Sequence, residues 1–236
     1  MLALEQQVIE LQDQAECWDL KVLLRWGLSE FDKSLAIAAS FGAEDVVLID
    51  QASRLGSEFR VFTLDTDFLF PDTYALIDRI EKRYGIQVER THSDLTPAQQ
   101  AARYGEALWA SQPDQCCQLR KVEPLKKKLS GLRAWVTGVR RDQAPTRAQT
   151  RKLEWDAKFG LLKLNPIADW NWKQVWEYIR ANNVPYNPLH DQNYPSIGCT
   201  HCTRPVRPDE DPRAGRWPGF NKIECGLHVK DPLSST

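Results

Sequence analysis

Apolar residues recur at three- and four-residue steps from the start of the chain, at Leu4, Val8, Leu11, Ala15, Trp18, Val22 and Trp26, which predicts one amphipathic helix over residues 1–30. Cys17 falls inside that pattern and is expected to fill core space. The pattern then changes. Leu35 to Ala39 is short, apolar and uninterrupted, as in a strand buried on both faces; Ser40-Phe-Gly-Ala-Glu-Asp45 follows, and Val46, Val47, Leu48 and Ile49 begin a helix. Phe59 to Leu64 predicts a second strand, Pro71 opens a helix reaching Tyr84 with Gly85 as its cap, and Ile86 to Glu89 predicts a third strand. Ala134 to Gly138 predicts another buried strand, and Lys152–Trp155 with Leu161–Asn165 flank Phe159-Gly160 as a hairpin would. Trp172, Val175, Trp176 and Ile179 mark one helical face, stopped by Asn182-Asn183 and Pro185. Strands alternating with helices predict an α/β unit with a mostly parallel sheet. From Asn187 onward, periodicity fades into a region rich in Pro, Gly, Cys and Arg, and no internal repeat is present.

The 236 residues suit one compact unit. Lys plus Arg number 31 against 32 Asp plus Glu, a formal charge of -1, so no global field gathers nucleic acid or an anionic membrane, and any anion site has to be local. No apolar stretch is long enough for a bilayer and the N-terminus lacks a secretory pattern, so the expected location is the cytoplasm, or an organelle after removal of a transit peptide. Six cysteines in such a chain point to metal ligation or catalysis rather than to disulfides.

A turn between a buried strand and a helix is a ready anion site, because the helix N-terminus offers free N–H groups and a partial positive charge. Ser40 and Gly42 occupy such a turn. Asp65-Thr-Asp67 and Gly138-Val-Arg-Arg-Asp-Gln143 follow two further strands, so three strand ends are expected to converge on one ligand. Arg140, Arg141 and Arg147 are candidates to neutralise a phosphate or sulfate there, a solvated surface position being the alternative for each. The turn resembles the pyrophosphate loop of the PP-loop ATP pyrophosphatases, Ser-Gly-Gly-x-Asp-Ser, but Phe41 replaces the first glycine and the last serine is absent. That departure argues against cleavage of ATP pyrophosphate and for a different adenine nucleotide.

Cys116-Cys117 and Cys199-Thr-His-Cys202 supply two pairs of soft ligands. A Cys-x-x-Cys pair serves zinc, a redox dithiol or an iron–sulfur cluster. Adjacent cysteines crowd a single tetrahedral ion, so the spacing favours a [4Fe–4S] cluster over zinc, with His201 as a bystander. Lys121 lies four residues beyond Cys117, one helical turn on, where a cation can tune a cluster or hold an anionic substrate. Cys225 is left over, in Glu224-Cys-Gly-Leu-His228. It is either a small apolar loop residue or a nucleophile, with His228 to stabilise a thiolate or an anion and Gly226 to leave the thiol accessible.

These segments together resemble the assimilatory, thioredoxin-dependent sulfonucleotide reductases, and among them the adenylyl-sulfate reductases. The resemblance runs through Ser40–Asp45, Cys116-Cys117 with Lys121, Thr137-Gly-Val-Arg-Arg141, Ser196 to Pro205 and Glu224 to His228. It implies a Rossmann-like adenine nucleotide alpha hydrolase (PP-loop) fold over residues 1–205, its mostly parallel sheet flanked by helices, and a mobile C-terminal tail over 206–236. It further implies one [4Fe–4S] cluster on Cys116, Cys117, Cys199 and Cys202, with Cys225 as the catalytic nucleophile. Lys121, Arg213, Arg216 and His228 are implied around the sulfate and phosphate, and Ser40 and Gly138 near the nucleotide. The implied reaction reduces adenosine 5'-phosphosulfate to sulfite and AMP with thioredoxin as donor, since no fused redoxin domain follows within the chain; a homo-oligomer is compatible. The rival substrate is 3'-phosphoadenosine 5'-phosphosulfate. Rivals of other classes are an iron–sulfur RNA-thiolation enzyme, which wants the intact loop and a basic RNA surface, and a zinc-binding interaction module, which gives Cys225 no role.

Overall fold

The computed structural model describes residues 2–222 and 224–228. The N-terminal helix is two helices, α1 (Leu2–Ala15) and α2 (Leu20–Phe31). The break is local chemistry: the Asp19 side chain accepts from Val22 N at 2.8 Å and caps α2, ending the periodicity that a single helix would continue. Two expectations fail with it. Cys17 lies exposed in the connection rather than in the core, and Val22 is 41% exposed.

The expected strand–helix alternation follows. β1 (Leu35–Ala38) leads to α3 (Ala43–Arg54), β2 (Val61–Asp65) to α4 (Pro71–Tyr84), and β3 (Val88–His92) to α5 (Pro97–Tyr104). Gly85 ends α4 at φ +64, the left-handed conformation glycine adopts without strain. Then come α6 (Leu108–Ser111), α7 (Pro113–Cys117), a π-helical turn over Gln118–Val122, α8 (Glu123–Leu129) and β4 (Ala134–Val136). Pro124 has no N–H to donate, so the ladder cannot run unchanged through this stretch. β5 (Leu153–Asp156) and β6 (Leu161–Leu164) form the expected hairpin, and α9 (Trp172–Ala181) ends at Asn182.

The six strands form one sheet in the order β3-β2-β1-β4-β6-β5, parallel except for β5. Side chains alternate between its faces. Leu35, Ile37, Val61, Ala134 and Val136 enter the larger core with residues of α2, α3 and α9, whereas Ala36, Phe62, Trp135 and Leu161 meet Leu125 and Leu129 of α8. β2 lies on one side of β1 and β4 on the other, so the chain reverses its winding between β1 and β4. A crevice therefore opens beyond their carboxyl ends, the usual ligand position in open α/β sheets. Among the described residues no helix is long and apolar enough to cross a membrane.

The chain does not leave the body at Pro205. Thr203 bridges Arg216, Arg204 N donates to Gly215 O at 2.9 Å, and Trp217 is 2% exposed. That burial keeps residues 203–217 against the body, so the boundary expected at residue 205 marks no change in packing. The rest of the expected tail, residue 223 and residues 229–236, lies outside the described residues.

Candidate active site

The β1–α3 turn forms one wall of the crevice. Gly42 caps α3, and Asp45 in its first turn reaches back: Oδ2 accepts from Ser40 N at 2.7 Å, Ser40 Oγ at 2.9 Å and Gly42 N at 3.4 Å. Burial, with Glu44 alongside, pushes the Asp45 carboxyl up to about 6. The donors expected to cradle an anion thus already serve this carboxyl group, and Ser40 and Gly42 shape the wall rather than offer an open phosphate cradle. Phe41 holds φ +61, the left-handed conformation glycine would take, while its side chain is 1% exposed in the core. Burial of the ring offsets a backbone cost of about 1–2 kcal/mol.

Across the crevice, the turn after β4 approaches α3 at Gly138, where a Cβ would lie 2.6 Å from Asp45 Oδ1. Arg140 lines the cavity but is committed, with Nε donating to Glu44 Oε1 at 3.0 Å and further pairing to Asp142. Arg141 turns to Thr150 O at 2.7 Å and to Glu16 at 2.5 Å, bracing the N-terminal segment. These two arginines therefore brace the loop while lining the crevice.

The crevice encloses about 640 Å³, a size suited to a nucleotide. One end carries Lys121, Arg147, Arg213 and Arg216 together with Cys225 and His228. Arg147 pairs with Glu224 through both Nε and NH2 at 2.8 Å, and Arg213 reaches the same carboxylate at 3.4 Å. Burial disfavours a charged Glu224, but these arginines hold its carboxyl below the usual carboxylate range. Arg216 donates to Ser196 Oγ at 3.1 Å and Ile197 O at 3.2 Å, packs over the Trp217 ring, and leaves a buried Nε with no hydrogen-bond partner among the described residues. Burial alone would lower Lys121, but Cys199, Cys225 and Cys117 around it outweigh that, so the amine is held above its ordinary value and stays charged. Burial, reinforced by Lys163, Arg147, Arg213 and Lys158, keeps His228 well below its ordinary value. Its ring is neutral, stacked 5.8 Å from Trp135, and its buried Nδ1 has no hydrogen-bond partner among the described residues.

Cys116, Cys117, Cys199 and Cys202 gather beside that end, all buried and none in a disulfide. Cys116-Cys117 end α7; Cys199 is fixed by a bridge to Leu69, and Trp217 N donates to Cys202 O at 3.0 Å. Cys225 packs against the group without joining it. Burial first, then the neighbouring cysteines, pushes the Cys116 and Cys202 thiols up to about 11, against the opposing pull of Arg120 on the first and of Lys121 and Arg216 on the second. His201 stacks on Trp109, ring centroids 4.0 Å apart, and lines the same small cavity as the four cysteines.

Residues 34–205 match the model of the phosphoadenosine phosphosulfate reductase domain. The chain belongs to that family. It is 50% identical over 207 residues to an adenosine 5'-phosphosulfate reductase of Lysinibacillus sphaericus, covering 87% of this chain and 89% of that one. It is 44% identical over 227 residues to a protein of the same name from Halalkalibacterium halodurans, covering 96% and 98%. The crystal structure of phosphoadenylyl-sulfate reductase from Candida auris, a phosphate complex, superposes with a TM-score of 0.75 at 29% identity, covering 85% of this chain and 97% of that chain. The family relationship and the sheet order agree on the PP-loop type of α/β fold.

The reductase fold thus brings every site residue expected from the sequence to one cavity or to the sulfur group beside it. Three contributors escaped that reading. Asp45 had a visible signal, an acid in the first turn of the helix. Arg120, 1% exposed, joins Thr66 O, Asp67, Gln100 and Leu95 O beneath Cys199, and Glu224 holds two cations; each depends on partners remote in sequence, for which no local signal exists.

Proposed function

We propose that this reductase converts adenosine 5'-phosphosulfate to sulfite and AMP, with Cys225 as the attacking thiol. The observation that carries the reading is that Cys225 lines the crevice together with Lys121, Arg213 and Arg216, whereas Cys116, Cys117, Cys199 and Cys202 are not among its lining residues.

The thiolate of Cys225 attacks the sulfate sulfur. A sulfur–sulfur bond forms, the sulfur–oxygen bond to the phosphate breaks, and the electron pair leaves on AMP. Lys121 and Arg216 would balance charge on the departing phosphate. A dithiol donor of the thioredoxin type then attacks the Cys225 sulfur and expels sulfite. Its second thiol resolves the mixed disulfide, so two electrons from the dithiol take sulfur from sulfate to sulfite. Reduced thiols of this kind fit action in the cytoplasm.

Cys116, Cys117, Cys199 and Cys202 fit a [4Fe–4S] cluster by donor type and burial. When bound, it would supply a fixed charge beside Lys121 and tie α7 to the Cys199–Cys202 turn. The substrate without a 3'-phosphate is favoured because Arg140 and Arg141, the cations nearest the β4 turn, are already taken by Glu44, Asp142 and Glu16.

The test is to incubate the purified protein with each sulfonucleotide, omit reductant, and measure intact mass and the modified peptide. A sulfonate on Cys225 from adenosine 5'-phosphosulfate is expected. Modification of another residue, or of none, would sink the mechanism.

A further inference from the structure

Four cations line one end of the crevice, and the chain treats them unequally. Arg147 and Arg213 are engaged by the Glu224 carboxylate, which also accepts from Thr146 Oγ1 at 3.2 Å and whose side chain is 7% exposed. Among the described residues Lys121 makes no ion pair and the buried Arg216 Nε has no hydrogen-bond partner. Glu224 is the residue immediately before Cys225. A carboxylate closed between two arginines costs several kcal/mol of desolvation to build, and it persists where its partners are held in place. Arg147 is so held: Pro145–Arg147 form a short helical turn and its NH1 donates to Gln143 Oε1 at 2.5 Å. On the other side of Cys225, Gly226 has φ +85 and its carbonyl accepts from Lys158 Nζ at 2.5 Å, while Leu227 packs into the smaller core. Cys225 is thereby pinned from both sides, by a charge clamp before it and by a glycine turn after it.

We propose that Glu224 is the positioning residue for Cys225: its carboxylate, gripped by Arg147 and Arg213, docks the thiol against the crevice for attack, and release of the grip frees the thiol for the incoming reductant. This rests on Cys225 being the attacking thiol. The clamp divides the work of the cationic end. Lys121 and Arg216 face the substrate from the outset, whereas Arg147 and Arg213 spend the closed state holding the catalytic segment.

Glu224→Gln keeps the shape and the contact to Thr146 and removes the charge. With the cluster-loaded enzyme, three quantities decide: the rate of Cys225 alkylation by iodoacetamide without nucleotide, the single-turnover rate of Cys225 sulfonation at saturating substrate, and the dissociation constant of AMP. Loss of a charge-assisted clamp should raise alkylation about tenfold and lower sulfonation about tenfold, with AMP affinity equal or tighter. Arg147→Gln should do the same, and the double variant should be no worse than either single one. Unchanged alkylation and sulfonation in both variants overturns the clamp, as does a parallel loss of AMP binding, which would mark a general collapse of the crevice. Wild-type enzyme in the same assay separates the two readings: no sulfonate on its Cys225 defeats the proposed reaction, whereas wild-type sulfonation with unaffected variants defeats only the clamp.

Discussion

Gly138 and Asp45 face each other across the crevice so closely that a Cβ on Gly138 would lie 2.6 Å from Asp45 Oδ1 and 2.8 Å from Glu44 Cβ. The two residues belong to the turns after β4 and β1, on either side of the point where the sheet reverses its winding. Gly138→Ala has to push those turns apart, because both neighbours are anchored, Asp45 by Ser40 and Glu44 by Arg140. The expected outcome in isothermal titration is AMP affinity weakened about tenfold, with thermal stability reduced by about 1–3 kcal/mol.

Asp45 sets a pH dependence. Burial raises its carboxyl from the ordinary aspartate range to about 6, so the folded protein holds this proton more tightly than the unfolded chain does. Its favourable contribution is complete below the unfolded value and is lost as pH rises through about 6, an effect of about 3 kcal/mol between those limits. Asp45→Asn removes the titration and keeps an acceptor for Ser40. The stability of the wild type relative to this variant, from urea unfolding, should therefore fall between pH 4 and 6.5 and level off above.

How much of this was legible in the chain depends on the range of the forces involved. β1, β2, β4, the β5–β6 hairpin and α4 could be read because local apolar runs, Pro71 and Gly85 write themselves into a few consecutive residues. The break between α1 and α2 was hidden because Trp18 and Trp26 continue the spacing across it and still meet, 5.6 Å apart, while Asp19 turns the backbone. The cysteine pairs and Cys225 stood out by type. The commitments of the arginines did not: Arg140 to Glu44 spans 96 residues, Arg147 to Glu224 spans 77, and nothing near either arginine announces its partner.

Lys121 gives a sharper test of the cationic end than any arginine, because no carboxylate among the described residues pairs with it. Lys121→Met keeps the aliphatic stem and removes the charge that the surrounding cysteines hold in place. A charge aimed at the leaving phosphate is worth about a hundredfold in the transfer step. Single-turnover sulfonation of Cys225, followed by mass, should slow by that factor, and the iron content of the purified variant should match the wild type.

The division between Cys225 and the other four cysteines is open to a direct comparison. Cys225 packs beside Cys117, Cys199 and Cys202, so proximity alone does not separate a ligand from a nucleophile. Their surroundings differ: Cys116 and Cys202 are 8% and 9% exposed, and their thiols are pushed up to about 11, which suits groups that ionise on meeting a metal centre. Cys225 lines the crevice with Lys121 beside it. Cys225→Ser should keep its iron and acid-labile sulfide, accept no sulfonate and release no sulfite when thioredoxin is present. Cys202→Ser should lose iron, because a serine hydroxyl replaces a soft thiolate ligand. Loss of iron from Cys225→Ser, or full iron in Cys202→Ser, would reverse the assignment of ligand and nucleophile.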